Sequence, residues 1–416
     1  MGKKEILEYV FNTPDNTNPA VLSSMLDSFA SEVKYLADLN VTKVEDYLYE
    51  IEYDDYKYED ASGYFEAMMA KPGLSTISPA CSSIRKDNLY GRNLDWYYDK
   101  NAEFIIRVGA KPGRHASIGV AKGAPIMTNK FVESGAYDNS YKALPYLTED
   151  GINDAGVICN VNVTSNEHGI TSGTTPGAPS MCILGLIRFI LDNADSAKDI
   201  IPAIRALDLY AIKDEELHVM IADATDTFIL EFCYNTLVVL GTDEEVADYP
   251  LPNDIGIMTN FNEVEWDGST STGMNMYDET KVTNGPMHGC GYERYHILQE
   301  KYNDINTVED MRQAMKDVKY SNAFYFDRDL KWYSEFYGDM NGIDFNKETT
   351  ELTEPMERFL QAVHNFVDNI FLTENRDDGQ SWHTTHCSVY DMDKKEVHIY
   401  PQETPYYEPN EYIYSL

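Results

Sequence analysis

The chain has 416 residues, of which 43% are hydrophobic and 12% aromatic; this is ample for a large buried core and argues against disorder over most of the length. Its 70 acidic and 33 basic residues give a net charge of −37, which repels phosphate backbones and anionic membranes and so excludes nucleic acid as an expected partner. The length favours one large domain with a smaller appended piece.

The cysteines and the chain start bear on the cellular compartment. Because no C-x-x-C pair occurs and the cysteines lie mostly in apolar runs, buried thiols explain them better than disulfides or zinc and indicate a reducing environment. The start, MGKKEILEYV, has no apolar signal region, and no apolar run reaches the ~20 residues of a membrane span. We therefore expect a cytoplasmic protein without a membrane span. The six cysteines are Cys81, Cys159, Cys182, Cys233, Cys290 and Cys387.

Residues 1–80, called here the N-terminal extension, differ in composition and hydrophobic pattern from the rest of the chain. Apolar residues at helical spacing between about 18 and 39 predict a helix, and a stretch rich in tyrosine and acidic residues follows. The run KPGLSTISPA then indicates a linker or an extended arm. We expect a mostly helical extension over 1–80 and a second unit over 81–416.

From Cys81 onward, short β-rich runs and amphipathic helical patterns alternate. The predicted strands are CSSIRK, NLYGRNLDW, AEFIIRVG, HASIGVA, GVICNVNV, LHVMIADA, DTFILEFC, TLVVLGT, HCSVYDMD and EVHIYP. The predicted helices are SMCILGLIRFILDNA, SAKDIIPAIRALD, YERYHILQEKY, TVEDMRQAMKDV and EPMERFLQAVHNFVDNI. This order favours a layered α+β fold in which helices cover stacked sheets.

The stretch ISPACSSIRKDNLYGRNLDWYY carries the chemical argument. Cys81 follows the small residue Ala80 and begins a strand-like run. A tight turn near residues 86–88 would pair this run with the next, which carries Arg92 and Asp95. Both side chains would then approach the start of the first strand.

A cysteine at a chain start carries its own base. Its free α-amine, with a pKa of about 7.7–8.0, lies within reach of its own thiol, as in N-terminal-nucleophile catalysis. A nearby guanidinium favours the thiolate, and a nearby carboxylate orients the ammonium. Arg92 and Asp95 fit these two roles, so Cys81 is a candidate nucleophile for amide hydrolysis once the preceding peptide bond is cut.

The run CSSI followed by GRNLDW resembles the choloylglycine hydrolase family, which contains bile salt hydrolases and penicillin V acylases and is related to acid ceramidase and N-acylethanolamine amidase. The resemblance continues in order through NDAGVICNVNV, LHVMIADATDTFILEF, IGIMTNFNEVEW, HGCGYERYHIL and HCSVYDMDKKEVHIY. It implies a four-layer αββα N-terminal-nucleophile sandwich. It also implies hydrolysis of a linear C–N amide bond in a small N-acyl compound.

The resemblance further implies catalytic roles for individual residues. Cys81 would be the nucleophile and its freed amine the base, with Asp95 orienting that amine. Arg92 and Arg294 would support the thiolate and the substrate.

Two asparagine positions would form the oxyanion site. Asn260 in the MTN element would donate to the oxyanion, and Asn162 is the second donor chosen, with Asn160 left open. Unlike bacterial bile salt hydrolases, which begin almost at the nucleophile, this chain has 80 residues before Cys81. The extension is therefore expected to be a propeptide cut at Ala80–Cys81, as in ceramidase-like relatives, and to stay bound after cleavage.

The histidines offer a different interpretation. His383 and His386 in SWHTTHCSV would be metal ligands, or a base for a papain-like pair with Cys387, but their spacing fits no standard zinc motif and no C-G-S-C-W-type signature occurs. No calcium loop and no glycine-rich phosphate loop is found. The sequence therefore predicts neither a cofactor nor a metal.

Several functional alternatives stay open at this level. The expected partner is a small amide, with conjugated bile salts, phenoxyacyl penicillins, N-acyl amino acids, acyl homoserine lactones and fatty-acid amides all open; a homo-oligomer is a further open expectation. The chain is alternatively a non-catalytic small-molecule-binding protein that keeps the N-terminal extension as a cap, or an acyltransferase.

Overall fold

The computed structural model describes residues 41–59, 61–62, 65, 81–97, 102–122, 140–164, 170, 173–211, 217–266, 271–274, 291–319, 382–403 and 409–416. Two large sheets dominate this part of the chain. Within it, no helix has the length and apolar character that a membrane crossing requires.

The larger sheet has ten strands and is antiparallel except at two pairs. In spatial order the strands are β1 (Val41–Glu45), β2 (Leu48–Tyr53), β5 (Glu103–Val108), β6 (Ser117–Lys122), β7 (Thr148–Asn153), β8 (Ile158–Val163), β11 (Leu217–Ala222), β12 (Thr227–Cys233), β13 (Thr236–Gly241) and β14 (Tyr249–Pro250). The parallel pairs are β2 with β5 and β13 with β14.

The smaller sheet has six antiparallel strands and contains the predicted hairpin. In spatial order they are β15 (Gly256–Met258), β3 (Ser82–Lys86), β4 (Leu89–Tyr97), β18 (Trp382–Asp391), β19 (Glu396–Glu403) and β20 (Tyr412–Ser415). Strands β3 and β4 are joined through Asp87 and Asn88, and Asp87 has φ 52°, a conformation that aspartate tolerates better than most residues. The tight turn predicted near residues 86–88 is confirmed.

Two strand pairs and five helices complete the described elements. β9 (Ser180–Cys182) pairs with β10 (Asp208–Tyr210), and β16 (Val264–Trp266) pairs with β17 (Ser271–Met274). The helices are α1 (Ser140–Ala143), α2 (Ile183–Asn193), α3 (Ile201–Arg205), α4 (Tyr292–Lys301) and α5 (Val308–Asp317), with 3₁₀ turns at Leu144–Leu147, Pro252–Asp254 and Tyr302–Asp304.

The strands bury both of their faces, as neighbouring residues show. On β12, Ile229 joins a core shared by residues of both sheets, whereas Leu230 joins a core that contains residues of α2 and α3. On β18, Tyr390 joins the shared core, whereas Val389 packs with residues of α4 and α5. Since successive side chains of a strand point to opposite faces, each sheet contacts the other sheet on one side and helices on the other.

A glycine permits the close approach of α5 to the six-stranded sheet. A Cβ at Gly91, in the GRNLD motif, would lie 2.7 Å from Met311 Sδ and 2.8 Å from Met315 Cγ. The absence of a side chain therefore lets the helix pack directly on β4, next to Arg92.

The described part of the N-terminal extension begins with strands β1 and β2, where the prediction was mostly helical, and residues 58–59, 61–62 and 65 are helical. In β2 the alternation places Tyr49, Ile51 and Tyr53 in a buried core with Phe104, whereas Glu52 is exposed. This period-two pattern of β-favouring residues is typical of a strand, and pairing with β5 outweighs the acidic composition. The helix predicted over about 18–39 lies outside the described residues.

Aromatic contacts fix the N-terminal extension to the rest of the fold. The Tyr53 hydroxyl donates to the carbonyl of Tyr141 at 2.6 Å. The Tyr56 ring lies between two guanidinium groups, with Arg114 4.9 Å and Arg188 5.7 Å from its centroid. Such cation–π contacts, with the strand pairing, make residues 41–56 an integral part of the packed structure.

The remaining predicted elements are largely confirmed from Cys81 onward. All ten predicted strands are present, and four of the five predicted helices occur with narrower bounds; the first of these begins as strand β9. β7 was not predicted, because TEDGIN reads as a polar turn. The helix predicted in EPMERFLQAVHNFVDNI and Cys290 lie outside the described residues. The other five cysteines are buried thiols and not disulfides.

Candidate active site

Cys81 lies immediately before β3 and is buried, with 3% of its surface exposed. Its Sγ is 3.8 Å from the carbonyl oxygen of Asp95, to which it donates a weak hydrogen bond. Burial raises the pKa of the thiol to about 11; the Arg92 guanidinium opposes this rise, and the charges of Asp95 and Glu149 add to it. The thiol of the intact chain is therefore protonated at neutral pH.

Arg294, the third residue of α4, connects three of the predicted site residues. Its Nη1 donates to the carbonyl oxygen of Cys81 at 3.1 Å and to Asp95 Oδ2 at 3.0 Å. Its Nη2 donates to Oδ1 of Asn260. Since Arg294, Cys81 and Asp95 are all buried, these charge-assisted bonds join the strand β4, the end of β15 and the helix start into one cluster.

Both carboxylate oxygens of Asp95 have a donor. Oδ2 accepts from Arg294, and Oδ1 accepts from the hydroxyl of Thr384, which is paired with Asp95 across β4 and β18. The carboxylate is thus fixed beside Cys81. Thr384 was not predicted from the sequence; its position opposite Asp95 depends on a strand pairing of residues far apart in the chain.

Asn260 follows β15 and faces β8 as well as Arg294. Its Nδ2 donates to the carbonyl oxygen of Val163 at 2.6 Å. Gly291, just before α4, has φ 88°, and a Cβ there would lie 2.9 Å from the main-chain nitrogen of Asn260 and 2.8 Å from Thr259 Cβ. Glycine is therefore required where the helix start meets the Asn260 segment.

Asn160 and Asn162 lie on the same face of β8, toward the six-stranded sheet. Asn160 Nδ2 donates to Ser83 Oγ at 2.9 Å and to Asn162 Oδ1 at 2.8 Å. Asn162 Nδ2 donates to the carbonyl oxygen of Met258 at 3.2 Å and is 3.3 Å from Ser83 Oγ. Both amides thus contact Ser83 of β3, two residues after Cys81, and Asn162 also contacts the segment that leads to Asn260; the choice between them stays a prediction.

Arg92 lies between the two sheets. Its Nη1 donates to Asp150 Oδ2 at 2.7 Å, its Nη2 donates to the carbonyl oxygen of Val161 at 2.9 Å, and Glu149 Oε2 is 3.6 Å away. Burial disfavours its charge, but Asp150, Cys81 and Glu149 hold the pKa of Arg92 above its ordinary value. Arg92 therefore presents a permanent positive charge near the thiol.

Two acidic residues of β7 belong to this site although the sequence did not single them out. Asp150 is fully buried and accepts from Arg92, His386, Ser388 and Tyr390. Burial would raise its pKa, but Arg92 and His386 lower it to about 2. The only local signal was an aspartate within the run TEDGINDAGV, where a buried strand acid looks like a turn residue.

Glu149 precedes Asp150 on β7, and its side chain, 20% exposed, is partly buried near Arg92. Burial raises its pKa, and Arg92, His386 and Lys122 oppose that rise. Its charge also raises the pKa of the Cys81 thiol.

His386 takes part in an ion-pair network rather than in a cysteine–histidine pair. Its Nε2 is 3.0 Å from Asp150 Oδ2 and its Nδ1 is 3.6 Å from Glu103 Oε1. Cys387 is the next residue of β18, so its side chain points to the other face, where it joins the core of α4 and α5. His386 and Cys387 therefore do not form the papain-like pair, and the side chain of His383 lies outside the described part. Among the described residues no group of His, Cys, Asp and Glu side chains could hold a metal.

No protein-family model matches the chain, and no curated protein matches it. It is similar to two solved structures of conjugated bile acid hydrolase from Clostridium perfringens, a mutant and a variant, each with 13% sequence identity. The match to the mutant covers 81% of this chain and 92% of that chain, with a TM-score of 0.43. The match to the variant covers 80% of this chain and 92% of that chain, with a TM-score of 0.41. A penicillin V acylase from Agrobacterium tumefaciens matches with 14% identity over 81% of this chain and 86% of that chain, with a TM-score of 0.36.

These structures are the two kinds of enzyme to which the motifs are similar, which confirms the predicted resemblance to the choloylglycine hydrolase and penicillin V acylase family. At 13–14% identity and TM-scores below 0.5, the likeness by itself transfers no activity. The function is therefore argued from the geometry of the site.

Proposed function

We propose that the chain is a cysteine amidohydrolase of the N-terminal-nucleophile type, which hydrolyses a linear C–N amide bond in a small N-acyl compound after cleavage between Ala80 and Cys81. One observation carries the proposal: the buried guanidinium of Arg294 donates hydrogen bonds to the Cys81 carbonyl, the Asp95 carboxylate and the Asn260 amide oxygen. Four residues from three distant motifs thereby meet at Cys81.

The first reaction is cleavage of the chain itself. The Cys81 sulfur attacks the carbonyl carbon of Ala80, the C–N bond to Cys81 breaks as the nitrogen takes up the thiol proton, and a thioester forms. Water then opens the thioester, which leaves a carboxylate on Ala80 and a free amine and thiol on Cys81. Because the side chain of Ala80 is small, we expect little steric hindrance of attack at its carbonyl.

The freed amine then serves as the base in amide turnover. It takes the thiol proton, and Asp95 orients the resulting ammonium while Arg92 stabilises the thiolate. The thiolate attacks the substrate carbonyl, and the amine product leaves with the proton. Water hydrolyses the thioester and completes the cycle, so the chain's own groups supply every step.

The oxyanion that forms during this attack needs hydrogen-bond donors. Asn260 Nδ2, which bonds the Val163 carbonyl in this structure, is one donor, and Asn162 is the second, with Asn160 two residues away on the same face. A single such donor is worth about 10²–10³ in kcat in amide-hydrolysing enzymes.

The proposal extends to the fold and the domain boundary. The three cores support an αββα order of layers, with α2 and α3 outside one sheet and α4 and α5 outside the other. We place the boundary at Ala80–Cys81, so residues 1–80 are a propeptide and 81–416 the hydrolase domain. Because β2 pairs with β5 along six residues, the cleaved segment stays bound.

The proposed substrate is a class of amides rather than one compound. The solved structures are named for conjugated bile acid and penicillin V, and we propose an amide of that kind or an N-acyl amino acid or amine as substrate. Repulsion of anionic substrates by the net charge of −37 is screened beyond about 8–10 Å in physiological salt. The buried thiols support a cytoplasmic location.

The burial of Cys81 favours one alternative, a non-catalytic binding protein with the N-terminal extension retained as a cap. A thiol with its pKa raised to about 11 is unreactive until its surroundings change. The two readings differ in whether the peptide bond before Cys81 is ever cut. An acyltransferase would differ from a hydrolase only in its products, which addition of amine acceptors would reveal.

The deciding experiment is the intact mass of the purified protein beside Cys81→Ala, with Cys159→Ala as a control for a second buried thiol. We expect two fragments separated between Ala80 and Cys81 in the wild type and in Cys159→Ala, and one chain in Cys81→Ala. The cleaved protein should hydrolyse penicillin V or a conjugated bile acid in an amide panel. An uncut chain without activity on the panel would support the binding protein, whereas an uncut active chain would refute the amine as base.

A further inference from the structure

A buried network of charges lies between the two sheets, behind Arg92. Around His386 it includes Arg92 of β4, Glu103 of β5, Lys122 of β6 and the acidic pair of β7, Glu149 and Asp150. All of these side chains are buried or nearly so. Buried charges are costly unless they are paired, so a network of this size calls for an explanation.

We propose that His386 is a positioning residue: as an imidazolium it shares the Asp150 carboxylate with Arg92 and so sets how much positive charge Arg92 presents to the thiolate of Cys81. This inference rests on the proposed function, because it concerns the reactivity of the same nucleophile.

The geometry at Asp150 carries the first step. Its Oδ2 is 2.7 Å from Arg92 Nη1 and 3.0 Å from His386 Nε2, so one oxygen serves two cations. Its Oδ1 accepts from Ser388 at 3.3 Å and from the hydroxyl of Tyr390. A carboxylate that is shared between two cations in this way neutralises the charge of Arg92 only in part.

The second step is the charge state of His386. Burial disfavours the imidazolium, but Asp150 on one nitrogen and Glu103 on the other raise the pKa of His386 to about 9. Glu103 is held in place independently, since its main-chain N–H donates to the carbonyl of Tyr47 at 2.7 Å. The imidazolium is therefore present at neutral pH in the folded protein.

The third step joins the network to the nucleophile. Arg92 lowers the pKa of the Cys81 thiol, whereas Glu149 raises it. If the His386 charge is removed, Asp150 pairs with Arg92 alone and the positive potential at the sulfur falls. If the Glu103 charge is removed, the potential rises. Variants of the two residues should thus shift the pKa of the Cys81 thiol in opposite directions.

The test is the rate at which iodoacetamide alkylates Cys81 at pH 7, where His386 carries its charge, taken as the difference between each protein and its own Cys81→Ala version. His386→Gln keeps a donor for Asp150 but loses the charge, and we expect Cys81 to react about tenfold more slowly than in the wild type. Glu103→Gln should speed the reaction, and the double variant should return near the wild-type rate. Ser388→Ala, which removes only a neutral donor from Asp150, is the matched control and should not change the rate.

The alkylation needs no substrate, so it separates this inference from the proposed function. Equal rates in His386→Gln and the wild type, or changes of the same sign in His386→Gln and Glu103→Gln, would overturn the positioning role even if the protein cleaves itself and hydrolyses amides. Opposite changes in a protein that never cleaves would support the network and refute the amidase. If His386→Gln fails to fold, the sign of the Glu103→Gln change decides: a slower or unchanged rate overturns the inference.

Discussion

Substitution of Gly291 by alanine should uncouple activity from stability. The residue has φ 88°, which costs alanine about 1–2 kcal/mol relative to glycine. The new Cβ would also lie 2.9 Å from the Asn260 main-chain nitrogen, so that segment must move by several tenths of an ångström. Since loss of an oxyanion donor costs about 10²–10³ in kcat, partial displacement of Asn260 should lower the amidase rate about 10–100-fold.

The matched control for this change is Gly177→Ala. Gly177 has φ 93° and no atom within 4 Å of an added Cβ, so it incurs the backbone cost without the collision. Gly177→Ala should lose about 1–2 kcal/mol in urea unfolding and Gly291→Ala more, because of the collision; only Gly291→Ala should lose activity on penicillin V or a conjugated bile acid, with chain cleavage slowed in parallel. Full activity in Gly291→Ala at a stability equal to that of Gly177→Ala would refute the placement of Asn260 in the oxyanion site.

Four further predictions concern the charges of the site. Thr384→Val removes the hydroxyl that donates to Asp95 and should lower kcat about 10-fold or more, while Thr384→Ser keeps most activity; equal loss in both would point to packing instead. Arg294→Lys keeps the charge but cannot make the three bonds of the guanidinium, so intact mass should show slower cleavage, and wild-type cleavage would contradict the role of Arg294. The unfolding free energy should fall as pH rises from 6.5 through 9, because the raised pKa of His386 contributes roughly 3 kcal/mol that is complete below 6.5 and lost above 9; urea unfolding should show this fall in the wild type and not in His386→Gln. On the acid side, the pKa of Asp150, lowered from 3.8 to about 2, gives stability that is present above 3.8 and lost as pH falls through 2, which Asp150→Asn should abolish.

The sequence was sufficient for the parts of the site that local pattern encodes. The hairpin that brings Cys81 close to Asp95 follows from two short strand runs and a two-residue turn. Arg294 could be located from its motif, but its contacts could not, because a helix-start arginine reads equally well as a solvated residue. Its burial depends on packing against the six-stranded sheet.

The parts that escaped prediction depend on pairings between distant segments. Asp150 looks like a turn residue until β7 is placed between β6 and β8, and Thr384 gains its role only from the register of β18 on β4. β2 was missed because it lies in a stretch rich in tyrosine and acidic residues, although the alternate residues Tyr49, Ile51 and Tyr53 form a continuous apolar face.

If the chain is cut between Ala80 and Cys81 as we propose, the pairing of β2 with β5 has a consequence for the folding of the cleaved protein. Before cleavage, the strand reaches its partner as part of the same chain, so folding is unimolecular and independent of concentration. Afterwards the same six-residue register must form between two separate polypeptides, and unfolding becomes a dissociation whose midpoint depends on protein concentration. A dilute solution of the mature protein should therefore refold poorly, whereas the uncut Cys81→Ala chain refolds at any dilution.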